Sequence, residues 1–239
     1  MKKLNTNPCS FKALKKIIII PSFLISVNLF AQRPATGTWL NVQFPVQLNN
    51  KWQIPNDFNY RTLGNSASAL QQLYRGGIKY IFDKHWSATA GIAFAFTRTT
   101  FTKQTKEFAR EFRYWQEVNY KTQLTANLLG QLRLRVEERS FTATNSKAAY
   151  HAFRYRIRPQ LQQKIYGKWS LFVADEYMEQ HAKNKWSFDQ NRFMINGIYS
   201  FNKYTQLFAG YMWLQWPANS SQHIITVAFQ KTILLHAKQ

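Results

Sequence analysis

Hydrophobic and polar residues alternate along nearly the whole chain from Thr36 onward. In "QLRLRVEE", for example, Leu132, Leu134 and Val136 fall on one side of an extended segment, and the charged and amide side chains fall on the other. A period of two residues is typical of β-strands, whereas a helix repeats its apolar positions every three to four residues. The alternation predicts eleven strands, at residues 37–46, 51–62, 71–82, 86–99, 108–122, 125–139, 150–164, 168–179, 190–201, 204–216 and 222–234.

The predicted strands are long, mostly 10 to 15 residues, whereas strands of soluble proteins most often have about 5 to 6. A tilted strand of about 9 to 11 residues is long enough to cross a bilayer. Aromatic residues also gather near the ends of the predicted strands, where the wall of a membrane barrel meets the two interfaces. These aromatic residues are Trp52, Tyr60, Tyr80, Phe82, Trp86, Tyr166, Trp169, Tyr199, Phe201, Trp213 and Trp216.

The connections between the predicted strands differ in length in an ordered way. Tight turns are predicted at 83–85, 167–168 and 202–203, and longer polar connections at 100–108, 140–150 and 179–190. Short turns at one end and long loops at the other are the pattern of outer-membrane barrels. The sequence therefore predicts an all-β fold, a transmembrane antiparallel up-and-down β-barrel. A soluble sandwich or soluble barrel is the alternative, because its strands alternate in the same way.

The odd number of predicted strands conflicts with the even number that single-chain bacterial barrels normally have. If the short turns face the periplasm, the first strand begins at the outer end. That arrangement requires a further upward strand or an N-terminus that passes through the lumen. We therefore expect about twelve strands, with ten as the alternative.

The first 31 residues have the features of a cleavable secretory signal peptide. Five lysines precede or flank the start of an apolar run of 14 residues, Ile17 to Phe30, and Ala31 supplies a small residue before a plausible cleavage point. A retained transmembrane anchor is the alternative, but a helix needs roughly 20 residues to cross a bilayer. The sequence thus predicts export to the cell outer membrane, with residues 1–31 as the signal peptide and residues 32–239 as one barrel domain.

The chain without its first 31 residues carries 27 basic against 11 acidic groups, because only five of the 32 lysines and arginines precede residue 32. In an exported protein this surplus favours outer-membrane lipid, lipopolysaccharide or a small anionic solute as a partner, and it disfavours nucleic acid. The only cysteine, Cys9, lies within the predicted signal peptide, so we expect no disulfide in the barrel.

Several motifs follow one another in a recognisable order. They are "GTWLNV", "RGGIKYIFDKHWSATAGIAF", "REFRYWQEVNYK", "RLRVEER", "YHAFRYRIRPQLQQKI", "LFVADEYM", "RFMINGIYSFNKYTQLFAGYMW" and "HIITVAFQ". In this order they resemble a family of Gram-negative outer-membrane β-barrels of unknown function. The resemblance covers most of the chain after the signal peptide and implies the barrel fold, but it implies no reaction, cofactor or catalytic residue. The chain departs from the common barrel pattern where "TILLHAKQ" continues beyond Phe229 instead of ending on an aromatic residue.

Serine and histidine lie close together in the sequence at two places. "HWS" contains His85 and Ser87, and "NSSQH" contains Ser220, Ser221 and His223. A serine nucleophile needs a base within hydrogen-bond reach, and the base needs an orienting partner. Barrels that hydrolyse lipids carry such groups on their outer wall, so a lipid-modifying hydrolase is the alternative function. We predict no catalytic residue and expect His85 to be a rim histidine beside a polar strand start.

Metal ligands are not grouped in the sequence. The five histidines are scattered, no cysteine follows residue 31, and the aspartates form no calcium-loop pattern. We therefore predict no metal and no cofactor.

Alternation places a charged set of side chains inside the predicted barrel. Its basic members are Arg61, Arg75, Arg113, Arg133, Arg135, Arg154, Arg156, Arg158 and Arg192, and its acidic members are Asp57, Glu111, Glu117, Glu137 and Glu176. These charges pair across strands and plug a narrow lumen, or the unpaired arginines favour anions in a narrow channel or at a binding mouth. We expect a non-enzymatic protein that is structural, a narrow porin-like channel or an anion-binding barrel.

Overall fold

The computed structural model describes residues 35–64, 68–99, 107–145, 147–218 and 220–235. The predicted signal peptide, residues 1–31, lies outside this part of the chain. Within these ranges, no helix is long and apolar enough to span a membrane.

The described residues form fourteen strands in a single sheet. The strands are β1 (Ala35–Gln43), β2 (Val46–Gln47), β3 (Trp52–Ile54), β4 (Asn56–Leu63), β5 (Ser68–Ile81), β6 (Trp86–Arg98), β7 (Phe108–Thr125), β8 (Leu128–Phe141), β9 (Tyr150–Tyr166), β10 (Trp169–Ala182), β11 (Lys185–Ser200), β12 (Thr205–Gln215), β13 (Ser221–Lys231) and β14 (Ile233–Leu234). The sheet closes on itself because β5 pairs with both β4 and β6, and β1 pairs with both β4 and β13. The prediction of an all-β barrel is confirmed.

Three strands of the barrel wall are interrupted. β1 continues as β2 beyond Pro45, β3 continues as β4 beyond Pro55, and β13 continues as β14 beyond Thr232. Proline cannot donate to a β-ladder, so it occurs where a strand is broken or bulged. The hydrogen-bond ladder continues at these breaks, because the proline carbonyls still accept hydrogen bonds. Ile233 N donates to Pro45 O at 2.9 Å, and Gly77 N donates to Pro55 O at 3.1 Å. Counted with these continuations, the described wall has eleven strands.

The prediction of twelve strands is therefore wrong, and so is the alternative of ten. The eleven segments found by alternation correspond to the eleven wall strands, and the error came from assuming an even number. A closed barrel of up-and-down strands with an odd count must contain one parallel pair. Here β1 and β13 form that pair, from Ala35↔Gln222 to Gln43↔Gln230, and all other pairs between the wall strands are antiparallel except the short β2–β14 continuation. The first strand does begin at the end where the longer loops lie.

The wall strands are strongly tilted. Following the residue pairs once round the barrel from Gln123 of β7 leads back to Ala109 of the same strand, 14 residues away. Such a stagger accompanies tilts of about 35–45° in closed barrels. The lumen is consequently wide enough to hold long side chains from opposite walls.

The two ends of the barrel differ in their connections. At one end, the short-turn end, the strands are joined by residues 48–51, 82–85, 126–127, 167–168 and 201–204. At the other, the long-loop end, the connections are residues 64–67, 99–107, 142–149, 183–184 and 216–220. In the 82–85 turn, Asp83 accepts hydrogen bonds from the backbone N–H groups of Trp86 (2.8 Å) and His85 (2.7 Å), and these bonds hold the pKa of that carboxyl below its ordinary value.

One predicted long loop is absent. Residues 179–190 were expected to form a polar connection, but β10 extends to Ala182 and β11 begins at Lys185. Only Lys183 and Asn184 join the two strands, with φ angles of 50° and 60°. Positive φ at both central residues is the geometry of a tight hairpin turn that matches the twist of its strands. The polar residues that indicated a loop are strand residues beyond the apolar band.

The outward face of the wall is apolar in its middle and aromatic towards the short-turn end. Ile78 is 58% exposed and Tyr114 is 57% exposed, although both are large apolar side chains. Aromatic rings meet across strands at the short-turn end, with centroids 4.7 Å apart for Trp52 and Tyr80 and 4.9 Å apart for Trp169 and Tyr199. An apolar band bordered by aromatic side chains is typical of membrane-spanning barrels.

Candidate functional site

The side chains that fill the lumen differ between its two halves. The charged half comprises the inward faces of β7 to β11, and the apolar half comprises those of β12, β13, β1 and β4 to β6. In the apolar half, Met212, Leu214 and Ile224 form one buried cluster. Leu73 and two alanines form a second cluster with Trp115, which reaches over from β7. Of the nine predicted lumen arginines and Arg139, which continues the alternation of β8, eight belong to the charged half.

Glu137 is one of two central acceptors of the charged half. Its carboxylate contacts Arg156 at 2.5 Å, Arg113 and Arg135 at 3.5 Å and Arg154 at 3.7 Å. Only 1% of the residue is exposed. Four cations therefore share this one buried carboxylate, and each of them also contacts a second carboxylate.

Glu176 is the second central acceptor, and it is likewise 1% exposed. It contacts Arg156 at 2.8 Å and Arg192 at 3.5 Å, and it also pairs with Arg133. Arg156 bridges the two carboxylates. We call Glu137, Glu176 and Arg156 the central ion-pair layer. Because these side chains are almost inaccessible even from inside the barrel, the lumen is filled at their level.

The remaining predicted acids also contact predicted arginines. Arg75 and Asp57 pair at 2.9 Å, and Glu117 contacts Arg135 at 2.5 Å and Arg133 at 3.6 Å. Glu111 lies 2.7 Å from Arg113. The structure thus brings all five acidic residues of the predicted set into ion pairs with its arginines.

Two members of the network were not selected from the sequence. Arg139, which pairs with Glu111, continues the alternation of β8, so the same rule applied one step further would have found it. Asp189, which lies 2.8 Å from Arg154, falls at a β-bulge where Met178 pairs with Gln190 but Glu179 pairs with Phe188. A bulge inserts one unpaired residue, so simple alternation assigns Asp189 to the wrong side.

Two arginines of the predicted set have no carboxylate partner among the described residues. Arg61 donates a 2.7 Å hydrogen bond to Gln71 Oε1, and its guanidinium carbon lies 3.8 Å from the centre of the Trp39 ring. Arg158 forms no ion pair in the described chain, and its buried Nε has no hydrogen-bond partner. We call the predicted set, together with Arg139 and Asp189, the lumen network. It holds ten arginines and six carboxylates. Its positive charge exceeds its negative charge by four.

A cavity of about 600 Å³ opens between the central ion-pair layer and the long-loop end. Thr99, Thr142 and Tyr150, which stand at the β6–β7 and β8–β9 connections, line its upper part. We call it the vestibule. Its charged lining residues are Arg61, Arg113, Arg139, Arg154, Arg192 and Lys147 against Glu111 and Asp189. Six cations and two carboxylates make its wall strongly positive.

The serine and histidine pairs singled out from the sequence do not form catalytic groups. His85 Nδ1 lies 2.9 Å from Lys121 O, and its ring stacks on Tyr120, whereas Ser87 is only 8% exposed. His223 Nδ1 is hydrogen-bonded to the Tyr211 hydroxyl. Neither histidine is hydrogen-bonded to a serine in the described chain.

A different serine and histidine do meet. Ser140 Oγ lies 3.0 Å from His151 Nδ1 on the outer face at the long-loop end. Within the described ranges, no carboxylate or amide side chain is hydrogen-bonded to this histidine, so the pair lacks the third group that orients a base. The described residues also contain no cluster of three side chains able to hold a metal ion.

The barrel and its filled, charged lumen place the chain among β-barrels of the outer-membrane type. The fold is similar to the β domain of the Bordetella autotransporter BrkA, with a TM-score of 0.52 and 9% identity over 79% of this chain and 86% of that one. A second similar structure is the NanC porin, with a TM-score of 0.46 and 10% identity over 79% of this chain and 90% of that one. At such low identities, the likeness concerns the fold alone.

The chain belongs to the family described as "Protein of unknown function (DUF2490)", whose model matches residues 36–223. The family resemblance inferred from the order of motifs is thereby confirmed. No curated protein matches the sequence closely enough to count as a relative.

Proposed function

We propose that this protein is an outer-membrane barrel that binds anionic solutes in its vestibule, and that the central ion-pair layer closes the lumen beneath them. The observation that carries the proposal is the vestibule itself: six cations and two carboxylates surround a space of about 600 Å³. Cavities of this size are typical of sites for small molecules.

The membrane location rests on the outer surface of the wall. Large apolar side chains such as Ile78 and Tyr114 are more than half exposed, and water disfavours so much apolar surface. In a bilayer, a closed barrel satisfies the hydrogen bonds of its backbone while its apolar side chains contact lipid. We propose that residues 1–31 act as the cleavable export signal that brings the chain there.

Anion binding follows from the imbalance of charge inside the wall. Buried charges are tolerated when they are paired, and the lumen network has four more arginines than carboxylates. We infer that anions from solution supply the missing negative charge in the vestibule. The same imbalance repels cations from the vestibule.

Conductance of the purified protein in planar bilayers tests the closed lumen. We expect the wild-type barrel to show no steady conductance. The double substitution Glu137→Ser and Arg156→Ser removes two members of the central ion-pair layer, so it opens a path that carries anions in preference to cations. Glu138→Ser, on the outward face of the same strand, serves as the control and leaves the barrel closed.

Calorimetry of the detergent-solubilised protein tests anion binding. We expect citrate to bind and the polycation spermidine to give no heat of binding. Because the attraction is electrostatic, raising the sodium chloride concentration weakens citrate binding. A wild-type barrel that conducts steadily, or that binds spermidine as well as citrate, contradicts the proposal.

A further inference from the structure

We infer that the vestibule contains a site for a soluble anion with two or more oxyanion groups, such as carboxylates or phosphates, held by Arg61 and the indole N–H groups of Trp39 and Trp216 on one wall and by Arg154 on the other. This inference rests on the proposed function and goes further, because it assigns the binding atoms and the ligand class.

Four residues that line the vestibule each have a buried donor atom without a hydrogen-bond partner in the described structure. These atoms are Trp39 Nε1, Trp216 Nε1, Arg61 Nε and Arg154 Nε, and all four residues line the same cavity. The indole and guanidinium groups donate hydrogen bonds and accept none. Leaving a buried donor unsatisfied is costly, so a set made only of donors is complementary to a ligand rich in acceptors. Oxyanions fit this requirement best, because their oxygens only accept.

The position of Trp39 keeps positive charge available. The guanidinium carbon of Arg61 lies 3.8 Å from the ring centre, and that of Arg192 lies 4.9 Å from it. An aromatic ring attracts a cation without neutralising it, whereas a carboxylate at the same place would cancel the charge. Arg61 is thus held by Trp39 and Gln71, and its charge remains free for a ligand.

The donors come from opposite walls. Arg61 is on β4 and Arg154 is on β9, and these strands are separated by five steps round the eleven-stranded wall in one direction and six in the other. Because the two guanidinium groups start from distant strands, we infer that a small monovalent anion contacts only one of them. An anion with a charged group at each end reaches both, which favours multivalent ligands.

Lipid-linked headgroups carry similar oxyanions, but the site is inside the wall. Arg154 is 5% exposed, and the donors lie in the lumen rather than on the lipid-facing surface. A soluble ligand enters from the open end, whereas a headgroup would have to leave its membrane to reach the same atoms. We therefore assign a soluble anion.

Binding of citrate to detergent-solubilised protein, measured by calorimetry, tests this assignment. We expect citrate to bind at least tenfold more tightly than acetate. Arg61→Gln and Arg154→Gln should each weaken citrate binding more than tenfold. Trp39→Phe and Trp216→Phe keep an aromatic ring but remove the N–H donor, and each should weaken binding about tenfold, as expected for a hydrogen bond to a charged group.

Two control substitutions test whether citrate binding depends on the assigned site or only on the overall positive charge of the lumen. Arg158→Gln removes a lumen arginine of the same strand as Arg154 that does not line the vestibule. Trp169→Phe changes a 54% exposed tryptophan at the short-turn end. We expect both variants to bind citrate within about twofold of the wild type. Circular dichroism and the gel shift on heating confirm that each variant is folded.

The outcomes distinguish the two proposals. If citrate binds but Arg158→Gln weakens binding as much as Arg61→Gln, the assigned site is wrong while anion binding stands. If acetate binds as tightly as citrate, or if micelles of lipopolysaccharide bind and citrate does not, the soluble multivalent ligand is wrong. If none of these anions binds the wild-type barrel, the proposed function itself is wrong.

Discussion

Eight arginines and five carboxylates of the lumen network lie on β7 to β11, whereas the strands from β12 round to β6 supply only Arg61, Arg75 and Asp57. Buried apolar side chains occur in both parts of the wall, for example Met178 on β10 and Leu214 on β12. The contrast is clearest where the halves meet. Trp115 of β7 packs with Ala93 and Ala95 of β6, and the guanidinium of Arg135 lies 4.5 Å from the centre of its ring. The short side chains of one wall leave the space that the long side chains of the other wall occupy.

The two halves stabilise the barrel in different ways. Apolar clusters such as Met212, Leu214 and Ile224 need only complementary shape, because their contacts are not directional. The charged half needs a partner for every buried charge, because an unpaired ion in a poorly hydrated interior is strongly unfavourable. A single deletion therefore has wider consequences in the charged half. Three of the four residues with unpaired donors, Trp39, Arg61 and Trp216, belong instead to the apolar half.

The largest expected effect tests this dependence at Glu137. Glu137→Gln removes the negative charge that contacts Arg113, Arg135, Arg154 and Arg156. Breaking a buried ion pair by removing one partner costs about 3 to 5 kcal/mol, so we expect a loss of that size in the free energy of unfolding. Urea denaturation in detergent micelles, followed by tryptophan fluorescence, measures it.

The neighbouring Glu138 provides the control for this measurement. It follows Glu137 on β8, but its side chain is exposed on the outward face. Glu138→Gln makes the same chemical change without removing a partner of the buried arginines, and we expect it to alter the unfolding free energy by less than about 0.5 kcal/mol. Equal losses at the two positions would show that the ion pairs do not stabilise the lumen.

An intermediate effect is expected in the apolar half at Leu214. This side chain is 0% exposed and packs with Met212 and Ile224, so Leu214→Ala leaves a cavity. Such substitutions in protein cores cost about 2 to 5 kcal/mol. We expect about 3 kcal/mol by urea denaturation, and weaker citrate binding as well, because Trp39 and Trp216 pack against this cluster. Leu207→Ala, on the outward face of the same strand, should cost less and leave citrate binding unchanged.

Much of this fold is predictable from the sequence because a two-residue period fixes which side chains face inward. The eleven segments and the charged lumen positions follow from that rule alone. The count failed where a general preference for even numbers was placed above the pattern itself, since no local signal announces that β1 pairs with β13 in parallel. Residues 179–190 were misassigned because polar strands beyond the apolar band have the composition of a loop.

The candidate site was less predictable than the fold. Asp189 is displaced by a bulge between β10 and β11, and bulges have no reliable sequence signature. The unpaired donors of Trp39 and Trp216 depend on which partners the tilted strands bring near them. Trp216 was noted only as an aromatic residue near a strand end. Tilt, stagger and bulges are properties of the closed barrel, so they appear only once the strands are paired.

The smallest expected effect concerns two turns at the long-loop end, one in the charged half and one in the apolar half. Asn184, in the hairpin between β10 and β11, and Ala218, between β12 and β13, both have a φ angle of 60°. Asparagine adopts this left-handed conformation more readily than alanine, which has no side-chain hydrogen bond to support it. We expect Ala218→Gly to raise the free energy of unfolding by about 1 kcal/mol, and Asn184→Gly to change it by only a few tenths. Urea denaturation in the same micelles measures both, and a larger gain at Asn184 would mean that the asparagine is strained in its turn.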